Sequence, residues 1–270
     1  MYYIRSNDGT KISVEDINPT YSKVIVMVHG WPMSKEMFEY QKNMFTQWGY
    51  RIITFDIRGF GDSDISGSGY QYDQLATDLY MIIESTGINN IILLGFSMGG
   101  AVCVHYMGMY DNHKVSKLIL AGAAAPSYCV SSDNPYGHSV DEVNKLIIGL
   151  YNDRPNTIQE FGNNVFASNP SPAFKTWFQG LCNKASGLGT INCAESLRDE
   201  NVFSDLGRIK VPTAIMHGKL DKICPYGFAT IMNQQIPGSL LYPFEKSGHG
   251  IFYDELSAFN HALMKFIEGV

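Results

Sequence analysis

The sequence predicts an α/β protein built on a mostly parallel sheet with helices on both faces. Three observations carry this. Short apolar runs alternate with stretches of helical periodicity, as in repeated strand–helix crossovers. Several runs are apolar at every position, as strands covered on both faces must be. One of them passes through a glycine-rich turn straight into a helical stretch. Of 270 residues 45% are hydrophobic and 17% charged, enough apolar material for one large core and against disorder.

Tyr2 to Ser6 and Lys11 to Asp16 alternate around Asn7-Asp8-Gly9, a pair of strands joined by a tight turn. Val24 to Val28, Arg51 to Phe55 and Ile91 to Leu94 follow as buried strands. Between them, Ser34 to Trp48 is expected as a helix capped by Ser34, with Met37, Tyr40, Met44 and Trp48 on one face. Tyr72 to Thr86 repeats the pattern with Leu75, Leu79, Ile82 and Ile83, and Gly87 suits its left-handed end. Val115 to Leu120, Pro212 to Met216 and Ser239 to Pro243 read as further strands, and Tyr253 to Ile267 as a terminal helix. From about 126 to 209 the rhythm breaks into scattered aromatics, Pro and Asn. That interval is expected to be a helical lid inserted in a core made of residues 1–125 and 210–270.

A net charge of −6 offers no basic face for a phosphate backbone, which argues against nucleic acid and for small neutral partners. Met1 to Ser6 lacks the basic start and apolar run of a signal peptide, and no later run reaches membrane-spanning length. A cytoplasmic protein with no membrane partner is expected. The five cysteines contain no CxxC pair, so neither a disulfide framework nor a metal site is indicated, and buried free thiols are expected.

Gly95-Phe96-Ser97-Met98-Gly99-Gly100 sits between the strand ending at Leu94 and the helical stretch Ala101 to Tyr110. This is the strand–turn–helix setting of a G-x-S-x-G nucleophile elbow, where a tight turn around the serine leaves its neighbours no room for β-carbons. The plainer alternative makes Ser97 a helix cap. A serine hydroxyl needs an imidazole to take its proton and a carboxylate to fix the imidazole's tautomer. Among seven histidines, His249 alone lies in a glycine-flanked loop, Ser247-Gly248-His249-Gly250, after a late strand. His29 immediately precedes the loop of the oxyanion donor and His217 ends a strand, and both read as polar supports. His105, His113, His138 and His261 fall on helix surfaces or in the lid.

Asp221 follows the strand Pro212 to Met216 and gives the chain order Ser, Asp, His. Its plainer reading is a solvated turn aspartate, with Asp205 as the reserve acid. His29-Gly30-Trp31-Pro32 follows the strand Val24 to Val28 and places the Trp31 N–H opposite that of Met98, a pair of oxyanion donors. Pro32 restricts the Trp31 backbone before it. Asp56 and Arg58 read as a structural turn rather than a second charged site.

With these residues the sequence resembles the α/β-hydrolase fold, and within it the cofactor-free haloperoxidase, perhydrolase and aryl esterase group. The resemblance runs through His29-Gly30-Trp31-Pro32, Phe55 to Ser63, Gly95 to Gly100, His217-Gly218, Asp221 and Gly248-His249-Gly250, and covers the lid poorly. It implies a largely parallel eight-stranded sheet, a triad of Ser97, Asp221 and His249, and no cofactor. It implies hydrolysis of small esters, with transfer of the acyl group to hydrogen peroxide as a side activity. The proline after Trp31 is similar to the pattern of perhydrolysis-competent members. Phe96, Tyr128, Phe166 and Ile223 fall where similar enzymes line the acyl pocket. Such enzymes form various oligomers, so a homo-oligomer is among the implied assemblies.

Two other readings stay open: another hydrolase on the same scaffold (a lactonase, a carbon–carbon bond hydrolase, a proline aminopeptidase) and a non-catalytic ligand-binding module. Dehalogenases and epoxide hydrolases place an aspartate where this chain has Ser97.

Overall fold

The computed structural model describes residues 1–269. Eight strands form one sheet: β1 (Tyr2–Arg5), β2 (Lys11–Ile17), β3 (Val24–Val28), β4 (Arg51–Phe55), β5 (Ile91–Phe96), β6 (Val115–Ala121), β7 (Thr213–Gly218) and β8 (Leu240–Phe244). Their order is β1-β2-β4-β3-β5-β6-β7-β8. The β1–β2 and β2–β4 pairs are antiparallel, and every pair from β4 to β8 is parallel. Strands β3, β5 and β7 are buried at every position, as the apolar runs of β3 and β5 require, whereas the edge strand β8 is largely open.

The core helices are α1 (Glu39–Gln47), α2 (Tyr72–Ser85) and α3 (Met98–Met109). Between β6 and β7 lie α4 (Val140–Asn163), α5 (Pro172–Asn183), α6 (Gly187–Asp199) and α7 (Phe203–Leu206). After β7 come α8 (Gly227–Gln235), α9 (Ile251–Asp254) and α10 (Leu256–Glu268). No helix among the described residues is long and apolar enough to cross a membrane.

Two helix expectations need correction. The stretch from Ser34 begins as a 3-10 turn, Lys35–Phe38, before α1, and Ser34 makes no side-chain cap. Asp56 caps this turn instead: its Oδ1 accepts the Lys35 amide at 2.8 Å and its Oδ2 the buried Lys35 ammonium at 2.5 Å. The terminal helix starts earlier and breaks at Glu255, whose φ of −123° and ψ of 50° separate α9 from α10.

Helix α4 opens with a capping box, the Ser139 hydroxyl taking the Glu142 amide while the Glu142 carboxylate takes the Ser139 amide. Non-helical backbone at Asp153 (φ −151°, ψ 77°), two residues before Pro155, divides α4 into two arms.

Asp56 and Arg58 are both fully buried and structural in their contacts. Arg58 bonds Asp78 through Nε and Nη2, each at 2.7 Å, and Asp8 through Nη1. Gly59 is required for close approach: a β-carbon there would lie 2.8 Å from Cα of Gly189 on α6.

Candidate active site

In a parallel sheet the loops at the strands' carboxyl ends gather on one edge, and ligands favour the point where strand order reverses. Here β3 runs between β4 and β5, so the chain turns one way after β3 and the other way before β5. The loops after β3, β5, β7 and β8 carry Trp31, Ser97, Asp221 and His249.

Ser97 follows β5 directly and precedes α3. Its φ of 54° and ψ of −123° lie where only a sharp, strained elbow holds a non-glycine residue. The glycines around it are there for space. A β-carbon on Gly95 would meet the Gly99 carbonyl at 2.6 Å, and one on Gly30 would meet Cβ of Ser97 at 2.7 Å. The Ser97 amide donates to Ala121 O at 3.0 Å, and its carbonyl accepts from Gly100 and Ala124. Its backbone is therefore fixed from three sides.

Asp221 and His249, 28 residues apart, meet in the core, with Nδ1 of His249 donating to Oδ2 of Asp221 at 2.8 Å. The other Asp221 oxygen accepts the amides of Ile223 and Cys224, both at 2.8 Å. Nε2 of His217 stands 3.3 Å from Oδ2 and donates to Cys224 O at 2.7 Å. Burial opposes ionisation of Asp221. The facing His249 and the hydrogen bonds from His217 and His249 outweigh it and hold the carboxyl well below the usual range.

With Nδ1 carrying the proton, Nε2 of His249 is the basic nitrogen, and it is buried with no hydrogen-bond partner among the described residues. The ring tilts against Phe96, the residue before Ser97, at 4.8 Å between centroids. Ser97 and Ile223 of the Asp221 loop border one cavity. Burial pushes the Cys224 thiol well up, with the Asp221 charge adding.

Met98 is the first residue of α3, so its N–H is one that a helix leaves without an internal acceptor. Trp31 is joined to Pro32 by a cis peptide bond, and its indole Nε1 donates to Thr190 O at 2.9 Å. His29 holds the same loop: Nδ1 donates to Gly30 O at 2.9 Å and Nε2 accepts the Ile57 amide at 2.9 Å. Burial lowers the pKa of this imidazole, against the pull of Asp56.

A cavity of about 10 Å³, room for roughly one water, touches Ser97 and is walled by Trp31, Tyr128, Val143, Leu146, Phe161, Leu197 and Ile223. A wider one of about 330 Å³ lies behind the shared Tyr128, Val143, Leu146, Phe161 and Ile223, with His138, Glu142, Lys145 and Glu160 among its polar lining. Two of the four residues expected in the acyl pocket, Tyr128 and Ile223, thus border the cavity at Ser97. Phe96 packs under His249. Phe166 is not brought to that cavity; it stacks edge-on with Phe174, Phe178 and Phe252.

The reserve acid Asp205 lies elsewhere, bonded to His105 at 2.8 Å. Val143, Leu146, Phe161 and Leu197 were not anticipated: the first three lie on the two arms of α4 on either side of Asp153 and Leu197 on α6, and they meet only at the cavity. His138, expected in the lid, donates from Nε2 to Ile223 O at 2.8 Å.

The family model described as alpha/beta hydrolase fold matches residues 23–168. The chain is 40% identical over 265 residues to the AB hydrolase superfamily protein YisY of Bacillus subtilis, covering 98% of each. Among solved structures it is similar to the esterase EaEST from Exiguobacterium antarcticum, at 45% identity and a TM-score of 0.96 over 98% of both chains. It is also similar to a bromoperoxidase from Bacillus anthracis, at 30% identity and a TM-score of 0.93 over 99% of this chain and 100% of the other. The chain belongs to the α/β-hydrolase fold family and, within it, is similar to esterases and non-haem haloperoxidases.

Proposed function

We propose that this enzyme is a serine hydrolase of small carboxylic esters working through an acyl group on Ser97, with perhydrolysis as a side activity. The observation that carries the reading is the buried His249–Asp221 pair, whose imidazole packs on Phe96, the residue before Ser97, and whose Nε2 has no hydrogen-bond partner among the described residues.

Ser97 Oγ attacks the ester carbonyl while His249 Nε2 takes its proton, and Asp221 holds the ring's tautomer and stabilises the charge that forms. The amides of Trp31 and Met98 receive the oxyanion. His249 then protonates the leaving alcohol. Water attacks the acyl-enzyme to give the acid; hydrogen peroxide attacking in its place gives a peracid. The acyl group is taken to lie against the apolar wall at Ser97 that includes Tyr128 and Ile223. Phe96 serves by supporting His249, and Phe166 by packing the loop behind it.

In this reading helices α4 to α7 act as the lid over the core formed by residues 1–125 and 210–270. The five free, buried cysteines fit a reducing compartment, and residence in the cytoplasm is part of the proposal. Ser97→Ala is expected to lower turnover of p-nitrophenyl acetate by about 10⁶ and to abolish labelling by a fluorophosphonate. Wild-type hydrolysis in that variant would remove the mechanism.

A further inference from the structure

The loop that carries His249 is held from behind by the turn that follows it. Glu255 accepts the Lys246 amide at 2.9 Å and the Ser247 hydroxyl at 2.7 Å. Asp254, one residue earlier, accepts the Gly248 amide on Oδ2 at 2.8 Å, immediately before His249. The same carboxylate reaches the segment between α4 and α5. Its Oδ2 accepts the Ala167 amide at 2.9 Å, and its Oδ1 accepts the Ser168 amide at 3.0 Å and the Ser168 hydroxyl at 2.5 Å.

On the other side of His249, the Gly250 amide donates to Val165 O at 2.8 Å. The residues on either side of His249 are thus each bonded, directly or through Asp254, to residues 165–168. The fit is close. A β-carbon on Gly248 would stand 2.9 Å from Ala167 N and 3.0 Å from Val165 O, and one on Gly250 would run into the Phe166 ring.

We infer that Asp254 is a positioning residue for His249, aligning the imidazole by sharing one carboxylate between the base's loop and the 165–168 segment of the helical insertion. The inference rests on the reading of His249 as the base. Aromatic packing also joins the two segments, through Phe166 against Phe252 and Tyr253 against Phe174. Such packing is non-directional and does not set the register of the Gly248 peptide; a carboxylate accepting amides from both sides does. Both oxygens are engaged, so an amide in its place turns one acceptor into a donor facing N–H groups.

The test compares wild type, Asp254→Asn and Ser168→Ala in p-nitrophenyl acetate kinetics, rate of fluorophosphonate labelling, and amide hydrogen exchange at Gly248, Ala167 and Ser168. Asp254→Asn is expected to lower kcat and the labelling rate together by about 10- to 100-fold, as small misplacements of a reacting group do, with KM within about twofold. Exchange at all three amides should quicken. Ser168→Ala, which leaves the Gly248 bond in place, is expected to lower kcat by about two- to fivefold.

A folded Asp254→Asn with wild-type kcat and labelling rate would overturn the inference, as would a rise in KM alone. If Asp254→Asn does not fold, unchanged kcat and exchange in Ser168→Ala would overturn it. Failure of the hydrolase reading looks different: wild type would neither hydrolyse nor label, while the exchange differences would still report the clamp.

Discussion

The indole N–H of Trp31 donates to the main-chain carbonyl of Thr190, 159 residues away, at 2.9 Å. This bond ties the loop after β3, whose amide is proposed to receive the oxyanion, to helix α6 of the insertion. Trp31→Phe keeps a ring against Phe161 but loses the donor. It is expected to lower unfolding free energy by about 1–2 kcal/mol, read from urea midpoints, and to lower kcat more than it changes KM.

Docking of α6 onto the core also depends on two glycines. A β-carbon on Gly189 would meet the Gly59 carbonyl oxygen at 2.7 Å, and both atoms it would approach there are backbone. Gly189→Ala is expected to cost about 1–3 kcal/mol by overpacking. Gly187→Ala, whose β-carbon would meet nothing within 4 Å, should change stability by no more than about 1 kcal/mol. Thermal unfolding of the two variants side by side checks this.

Leu146 stands in the wall common to the small cavity at Ser97 and the wider one behind it. Leu146→Ala should join them and raise kcat/KM for p-nitrophenyl hexanoate relative to the acetate by about tenfold. An unchanged ratio would show that acyl length is set elsewhere.

His105 bonds Asp205 at 2.8 Å and Asp73 at 2.7 Å. The hydrogen bond with Asp205 raises its pKa above the ordinary imidazole value, against burial and with Asp73 adding. A raised folded-state pKa gives stability that is complete below the unfolded value of about 6.5 and is lost as pH rises through the folded one. His105→Gln should therefore be more destabilising at about pH 5.5 than at about pH 9. Equal costs at both would contradict the pairing.

The features legible in the sequence were those whose cause is local. Ser97 could be singled out because its glycines and its strand-to-helix setting lie within a few residues, and His249 because glycines flank it after a strand. Asp254 could not, since the amides of Ala167 and Ser168 that it accepts lie 87 and 86 residues away.

Ser34 carried a local capping signal that lost to a distant one. Asp56, 21 residues on from Lys35, takes the Lys35 amide and ammonium, and the buried Ser34 hydroxyl has no hydrogen-bond partner among the described residues. The wall of the cavity at Ser97 was hidden for the same reason. Leu146 and Phe161 line one cavity from the two arms into which non-helical backbone at Asp153 divides α4, and no periodicity announces where those arms lie over the sheet.

The central claim is that the hydroxyl of Ser97 takes the acyl group from an ester. Intact and peptide mass spectrometry on protein quenched soon after mixing with p-nitrophenyl acetate tests it most directly. The expected result is a mass gain of about 42 Da, one acetyl group, confined to the peptide bearing Ser97 and absent from Ser97→Ala. An acetyl group carried by another residue, together with undiminished turnover in Ser97→Ala, would contradict it.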